Sequence, residues 1–434
     1  MTADRRRLLW IAGAAALAVH AAVIALRRAK GPGDFDVSRE FGRRFLAGED
    51  LYGGGLHYPY LPSAAMLFSP LALLPPWLGF ALRYAVALGC LALAIRLASS
   101  LSTLAAPGGH ERRRVTERVS APVFALVLCS HYIVRDLDDA GPHLILLAVL
   151  VAGFHFAAHG RRPAAGLCFG LAAAAKAPGL LALPYLWLRR ERRLFAWTLA
   201  CTLAWIASPA LWMGAGNWWD HQWRWLRTAA GSAAGVQRDA VAAKSEDRIQ
   251  NQSLRAAVAR NTDGCAGVET DGERICSPST GARLAGGLAA ALLIAGLAWH
   301  SHRLASSSDG WLREGAIVML AMLLLSPVTW VQHLVLCYPA LAYLGGSAVP
   351  RSVRLPRGAG LAAFAVLALV LNRELLGREN YFALLAAGSH TAALLILLLL
   401  LVAEPAGGAV AAAAGGGSVE LDAESSVPAP RLQR

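Results

Sequence analysis

The chain has 434 residues, of which 56% are hydrophobic and only 16% charged, and its formal net charge is +13. Such a composition excludes an ordinary soluble domain. The arginines fall in short clusters between long apolar runs rather than on one basic face. That pattern is typical of the cytoplasmic loops of a membrane protein, so no nucleic-acid partner is expected.

The apolar runs predict an all-α polytopic membrane protein, because a helix satisfies its own backbone polar groups in lipid. We expect a bundle of about 10–12 transmembrane helices in one membrane domain over residues 1–403. The runs are 8–26, 78–101, 120–134, 142–159, 164–188, 194–213, 285–300, 313–327, 330–347, 358–372 and 381–403. The first run is expected to be a retained anchor rather than a cleaved signal.

The arginine clusters predict the topology. Those at 5–7, 112–118, 161–162, 189–193 and 351–357 are expected in the cytoplasm. With the N-terminus inside, residues 27–77 and 214–284 both lie outside and form the extracytoplasmic segments. The tail at 404–434, rich in Ala, Gly, Pro and Ser, is predicted to be disordered in the cytoplasm.

The first external segment predicts a helix lying in the membrane interface from Phe35 to Leu46, with apolar residues on one side and charged residues on the other. Asp34 precedes it. This carboxylate is either a structural N-cap or a general base at the membrane surface. Asp36 has the same chemistry two residues later and is the alternative base.

Lys176 lies inside the apolar run 164–188, two residues before Pro178. Proline disfavours helix at the residue before it, so a bent, re-entrant hairpin is expected here. An ionisable group at this depth is costly unless it is paired or faces a cavity. Lys176 is therefore either an ion-paired, snorkelling lysine or a ligand for an anionic group.

The seven cysteines divide into two groups. Five lie in apolar runs and are expected to be small core residues. Cys265 and Cys276 lie in a polar stretch of the second external segment, where a disulfide is preferred over free thiols. No CxxC or His-rich spacing indicates a metal site, so none is expected.

Several short motifs, taken in order, resemble glycosyltransferase family 87. They are Asp34-Phe35 with Gly42-Arg43, Leu51-Tyr52, Tyr58-Pro59-Tyr60-Leu61-Pro62, Ser69-Pro70-Leu71-Ala72, Ala165-Gly166 with Lys176 and Pro178, Asn251-Gln252-Ser253-Leu254 with Arg260, and Ser326-Pro327-Val328-Thr329-Trp330-Val331-Gln332-His333. The similarity runs from about 30 to 350. The resemblance implies an integral membrane enzyme of the GT-C fold class that takes its sugar from a polyprenyl phosphate.

The resemblance also implies roles for individual residues. Asp34 takes the position of the family's catalytic aspartate, which activates the acceptor hydroxyl. The residues expected at the donor phosphate are Lys176, Arg255, Arg260 and His333. For the two arginines the alternative is a solvated face, and for His333 it is a buried, hydrogen-bonded core position. The residues expected at the substrates are Tyr52, Tyr58, Asn251 and Trp330. The sequence departs from the family pattern at Ala140-Gly141-Pro142-His143 and at Gln332. The acids Asp136, Asp138 and Asp139 before that first departure face either the acceptor or solvent.

The expected function is the transfer of a sugar, with mannose as the first candidate, from a polyprenyl-phosphate donor to a lipid or glycan acceptor, with inversion at the anomeric carbon. The site is expected at the outer face of a bacterial plasma membrane, among membrane lipids, without a cofactor. The alternative is a transporter or flippase of a lipid-linked sugar, with Lys176 and His333 on a permeation path. The lack of inverted repeats and the gathering of polar groups on one side favour the enzyme.

Overall fold

The computed structural model describes residues 19–24, 33–53, 60–104, 115–234, 247–265, 268–270, 273–304, 310–346, 351–370 and 372–404. Tyr58, most of the first apolar run and the tail after residue 404 therefore lie outside the described residues. The predicted all-α class is confirmed over the described ranges, where one short β-hairpin accompanies the helices.

The structure describes helical residues 19–24 and, in the rest of the described first half of the chain, the following α-helices. They are α1 (Asp34–Ala47), α2 (Pro62–Ala72), α3 (Pro76–Leu104), α4 (Val115–Asp138), α5 (His143–Ala158), α6 (Arg162–Ala175), α7 (Ala182–Leu188), α8 (Arg192–Ala207), α9 (Ala210–Met213) and α10 (Ala215–Ala234). A 3₁₀ helix, Ala177–Leu181, joins α6 to α7. Lys176 between them has extended backbone angles, so the helix breaks where the sequence predicted.

In the second half, the described residues contain the hairpin and further α-helices. These are α11 (Leu254–Thr262), α12 (Thr280–Leu304), α13 (Trp311–Leu325), α14 (Tyr338–Gly346), α15 (Arg351–Ala365), α16 (Arg373–Ala386) and α17 (Ser389–Ala403). A 3₁₀ helix, Val331–Cys337, precedes α14, and a π-helical turn, Val366–Val370, follows α15. Strands β1 (Val268–Thr270) and β2 (Glu273–Ile275) pair antiparallel, with Val268 opposite Ile275.

Three helical stretches in the described ranges are long and apolar enough to cross a membrane: Pro76–Ser102, Arg192–Met213 and Thr280–His302. A bent pair, Leu355–Val370 with Arg373–Ala386, adds a fourth if it counts as one span. Leu284, Leu288 and Leu292 form an exposed stripe on the third stretch, as suits a surface that contacts lipid. These features fit a helical membrane protein. The expected number of transmembrane helices, about ten to twelve, stays a prediction.

The core is centred on α13 and the 3₁₀ helix that follows it, where nearly every side chain is buried. A charged cluster lies within this core. Arg189 at the end of α7 forms an ion pair with Glu314 of α13, and the Tyr185 hydroxyl hydrogen-bonds both partners. The Arg189 guanidinium also lies 3.8 Å from the ring centroid of Trp311. The cluster fixes α7 against α13 and so holds the two 3₁₀ helices that precede and follow these elements.

Candidate active site

Asp34 is the first residue of α1. The preceding residue, Gly33, is the N-cap, and its backbone N–H donates to Asp36 Oδ2 at 2.9 Å. The capping role that the sequence left open for Asp34 therefore belongs to Asp36, while the Asp34 side chain is exposed. Phe35 is buried with its ring edge-on to Phe80 of α3, at 5.9 Å between centroids, and this contact fixes the start of α1 against the bundle.

Helix α1 also packs closely on α2. At Gly42 an added Cβ would lie 2.7 Å from the carbonyl oxygen of Phe68, so only glycine permits this approach. The buried face of α1 carries Phe35, Phe41 and Phe45, which agrees with the amphipathic helix predicted from the sequence. The start of α1, and Asp34 with it, is thereby held by contacts on two neighbouring helices.

Lys176 lies between two histidines. Its Nζ is 2.6 Å from His143 Nε2 and 3.2 Å from His333 Nε2. The two imidazole rings face each other, with 4.1 Å between their centroids. On its other side His143 contacts Asp136, whose Oδ1 is 2.7 Å from His143 Nδ1. Asp136, His143, Lys176 and His333 thus form a continuous polar chain, which we call the lysine cluster.

The turn between α4 and α5 builds one end of this cluster. Asp136 Oδ2 accepts a hydrogen bond from the Leu144 backbone N–H at 3.0 Å, and Arg83 of α3 donates to the Gly141 carbonyl. A Cβ on Gly141 would lie 2.2 Å from Asp136 Oδ1, so a glycine is required there. The turn that contains Gly141 and Pro142, where the sequence departs from the family pattern, therefore places the Asp136 carboxylate in contact with the His143 imidazole.

Asp34 acts electrostatically on the lysine cluster. Its charge interacts with Lys176, with Tyr60 and with Asp139. Burial, together with neighbouring carboxylates that include Asp34, raises the pKa of Asp139 to about 6. Burial and the same Asp34 charge raise the pKa of the Tyr60 phenol. Asp34 is therefore near enough to Lys176 for its charge to act on the amine, and the catalytic role of Asp34 stays a prediction.

The other end of the cluster is held by the segment that follows α13. Asn251 donates from Nδ2 to the Pro327 carbonyl at 2.9 Å and accepts from the Thr329 backbone N–H at 2.9 Å. The Gln252 backbone N–H donates to the Thr329 carbonyl at 2.7 Å. The Asn251-Gln252 pair thereby fixes the turn leading into the 3₁₀ helix that carries His333.

Of the residues predicted at the substrates, Asn251 is fully buried with its amide engaged in these backbone contacts. Tyr52 donates its hydroxyl hydrogen bond to the Tyr60 carbonyl at 2.9 Å, so it positions a residue beside Asp34. Trp330 is partly exposed and lies next to the Arg248 guanidinium, 5.1 Å from the ring centroid. Tyr58 lies outside the described residues.

Arg255 and Arg260 line a pocket that does not include Lys176. It lies between α11 and the start of α12, and Asp247, Asn251, Cys276 and Arg283 also line it. Arg260 is buried, and burial lowers its pKa to about 10. It donates to the backbone carbonyls of Leu385 and Ala386, while its Nη1 has no hydrogen-bond partner among the described residues. The structure thus separates the four predicted phosphate ligands into two pairs, Lys176 with His333 and Arg255 with Arg260.

The structure joins Cys265 and Cys276 by a disulfide, which ties the end of α11 to the residues after β2. Cys276 also lines the arginine pocket, so this bond supports one of its walls. The other five cysteines are free and at least partly buried. Within the described ranges no group of three or more potential metal ligands comes together.

Sequence reasoning missed His143 and left Asp136 open between an acceptor-facing and a solvated acid. In the structure both residues are buried, and Asp136 contacts His143, seven positions later in the chain. In the sequence they flank a Gly-Pro turn, and a turn of this kind could have suggested that they meet. Arg83 was hidden within an apolar run and gave no such signal.

The comparisons with known proteins agree with the resemblance found in the sequence. The model of glycosyltransferase family 87 matches residues 58–327. The chain is 26% identical over 343 residues to a polyprenol-phosphate-mannose-dependent alpha-(1-2)-phosphatidylinositol mannoside mannosyltransferase of Mycobacterium tuberculosis (strain ATCC 25618 / H37Rv), a match covering 72% of this chain and 70% of that protein. No solved structure matches the chain. Since the family model covers more than half of the sequence, the family predicted from the motifs is confirmed: the chain belongs to glycosyltransferase family 87.

Proposed function

We propose that this glycosyltransferase moves mannose from a polyprenyl-phosphate donor to a lipid or glycan acceptor, with inversion at the anomeric carbon, at the outer face of the bacterial plasma membrane. The observation that carries this proposal is the placement of Asp34, whose charge acts on Lys176 between two histidines. A carboxylate beside a cluster able to hold an anion is the arrangement that transfer from a sugar phosphate needs.

Each group has a defined part in the proposed reaction. Asp34 takes the proton of the acceptor hydroxyl, whose oxygen attacks the anomeric carbon from the face opposite the phosphate. The bond between that carbon and the phosphate oxygen breaks, and its electrons leave with the polyprenyl phosphate. Lys176 and His333 stabilise the negative charge that develops on the departing phosphate. Arg255 and Arg260 offer a second anion-binding pocket, suited to a further phosphate of the donor or acceptor.

A lipid-linked donor also fits the architecture. The described residues form one helical bundle with a small hairpin, and the sequence has no glycine-rich phosphate loop of the kind that binds nucleotides. The similar mycobacterial protein is named for a polyprenol-phosphate-mannose donor. Both points support a donor that reaches the site from the bilayer.

A donor panel tests this proposal. Purified protein in detergent is given radiolabelled mannose on a polyprenyl phosphate or on a nucleotide, with phosphatidylinositol mannosides as acceptors. We expect transfer from the lipid phosphate alone, and a product whose anomeric configuration is opposite to that of the donor. Transfer from the nucleotide sugar would contradict the proposal. Movement of the lipid-linked sugar across proteoliposomes without transfer would support the flippase alternative.

Cysteine labelling in intact cells tests the outer-face placement. The five free cysteines are replaced by alanine, the disulfide is kept, and Thr262→Cys or Arg190→Cys supplies the probe. Both positions are exposed in the structure. A membrane-impermeant maleimide is expected to label position 262, and to label position 190 only after the cells are opened. The reverse pattern would place Asp34 on the cytoplasmic face and refute the proposed topology.

A further inference from the structure

The hydrogen bonds of His333 fix which of its nitrogens carries a proton. The Trp330 backbone N–H donates to His333 Nδ1 at 3.3 Å, so Nδ1 must present a lone pair. In the neutral imidazole the proton then lies on Nε2, because one ring nitrogen donates and the other accepts. His333 Nε2 is the atom that faces Lys176 Nζ at 3.2 Å. Lys176 therefore meets an N–H donor on this side.

His143 has the opposite arrangement. Its Nδ1 is 2.7 Å from Asp136 Oδ1, and that carboxylate also accepts from the Leu144 backbone N–H. An ionised carboxylate is an acceptor only, so His143 Nδ1 carries the proton and Nε2 presents a lone pair. Nε2 is the atom 2.6 Å from Lys176 Nζ. Lys176 therefore meets an acceptor on this side.

A lysine ammonium has three donors and no acceptor, so it cannot accept the hydrogen bond that His333 offers. A neutral amine can donate to His143 and accept from His333 at the same time. We infer that Lys176 is an uncharged amine in the substrate-free protein and takes up one proton from solvent when the phosphate of the sugar donor binds. This inference rests on the proposed function, because it defines how that site receives its donor.

The charged groups around the amine fit this state. Asp34 from α1 and Asp136 from α4 act on Lys176. Arg83 from α3 acts on Asp136 and on His143, so one buried cation already offsets the Asp136 carboxylate. His143 and His333 are themselves buried and neutral in the arrangement derived above. The Asp34 carboxylate would favour a charged Lys176, but an ammonium at Lys176 would still place one of its N–H donors against the N–H of His333 Nε2, 3.2 Å away.

Donor binding changes this balance. A phosphodiester brings one negative charge, and a protonated Lys176 neutralises it by direct contact. The new ammonium still donates to His143 but no longer accepts from His333. The His333 Nε2–H is thus released and becomes available to a phosphate oxygen. One proton taken from solvent therefore converts both Lys176 and His333 into phosphate donors.

Calorimetry of donor binding tests this directly. A short-chain prenyl-phosphate mannose is titrated into the purified full-length protein at pH 8, in buffers with different ionisation enthalpies and without acceptor. The phosphodiester does not titrate in this range, so any proton exchange comes from the protein. We expect uptake of about one proton per donor bound, and an affinity that falls about tenfold per pH unit on the alkaline limb. Binding of the donor without proton uptake would overturn the inference.

Two variants identify the group that takes the proton. Lys176→Arg carries a permanent charge, so donor binding should exchange no protons and its affinity should not vary between pH 7 and pH 9. Asp34→Asn removes the carboxylate of the proposed general base, which could also take up a proton, and should keep the uptake of the wild type. Loss of uptake in Asp34→Asn would assign the proton to Asp34 and contradict the inference. If Lys176→Arg does not fold, the wild-type and Asp34→Asn titrations still decide.

Failure of this inference and failure of the proposed function give different results. Wild-type protein that binds no prenyl-phosphate mannose at any pH would refute the donor assignment itself. Protein that binds the donor and transfers its sugar, yet exchanges no proton, would leave the function intact and reject only the neutral amine.

Discussion

Replacing Asp34 by asparagine is expected to lower the rate of sugar transfer about 10²- to 10⁴-fold, the usual range for a general base. Asparagine keeps the size of the side chain but cannot take the acceptor proton. The exposed position of Asp34 at the first residue of α1 means that the helix should still form. Donor binding, measured without acceptor, should change little, because Lys176 and His333 are intact. Single-turnover transfer with labelled donor measures the loss.

Asp36→Asn is the matched control. This side chain accepts the Gly33 N–H hydrogen bond, so the substitution weakens a helix cap worth about 1 kcal/mol. We expect a small loss of thermal stability and nearly normal transfer. Full activity in Asp34→Asn with a large loss in Asp36→Asn would move the base by two residues, to the alternative that the sequence offered.

Replacing Arg189 by methionine is expected to lower the free energy of unfolding by about 3–5 kcal/mol, the range measured when one partner of a buried ion pair is removed. The variant leaves the Glu314 carboxylate in the core beside the Tyr185 hydroxyl, without the guanidinium that pairs with it. It also removes the guanidinium from the face of Trp311. Thermal unfolding in detergent and in lipid nanodiscs measures the effect.

Arg193→Met is the control for charge and helix propensity, because Arg193 is exposed at the start of the next helix. It should change stability by less than about 0.5 kcal/mol. The double variant Arg189→Met, Glu314→Met should recover most of the loss, since it leaves no unpaired charge. Equal destabilisation in the single and double variants would show that packing, not the buried charge, dominates this cluster.

The sequence predicted the all-α class, the family and the break at Lys176, because composition, motif order and proline placement are local properties of the chain. It also predicted a site containing Asp34, Lys176 and His333, and their roles stay predictions. In the structure Lys176 Nζ lies 3.2 Å from His333 Nε2, and the charge of Asp34 acts on Lys176. Lys176 was recognisable because an ionisable residue inside an apolar run is costly, whereas Asp34 was recognisable from its place just before the predicted interfacial helix. Their common site required the resemblance as well, because they lie far apart in the chain.

The remainder of the site depends on tertiary packing. His143 reaches Lys176 only because the Gly141 turn places α5 against the helix break. Asn251 was predicted to bind substrate, and whether it does stays a prediction. In the structure its amide holds the backbone at Pro327 and Thr329, a contact between segments that no local pattern reveals. Arg255 and Arg260 likewise lie together and apart from Lys176 because of how the helices pack, which the sequence pattern does not reveal.

The hydrogen bonds of Gln252 join the part of the chain that the family model matches to residues near the C-terminal end of the described structure. Its side chain donates to the Leu385 carbonyl, and its own carbonyl accepts from the Thr391 hydroxyl. Both partners lie beyond residue 327, where the family model ends, and so does His333, while Asp34 precedes its start at residue 58. The span matched by the family model is thus smaller than the unit that must fold together. A fragment cut to the homologous span would lack both the carboxylate and one imidazole of the proposed site, so inactivity of such a fragment would say nothing about the chemistry of the intact protein.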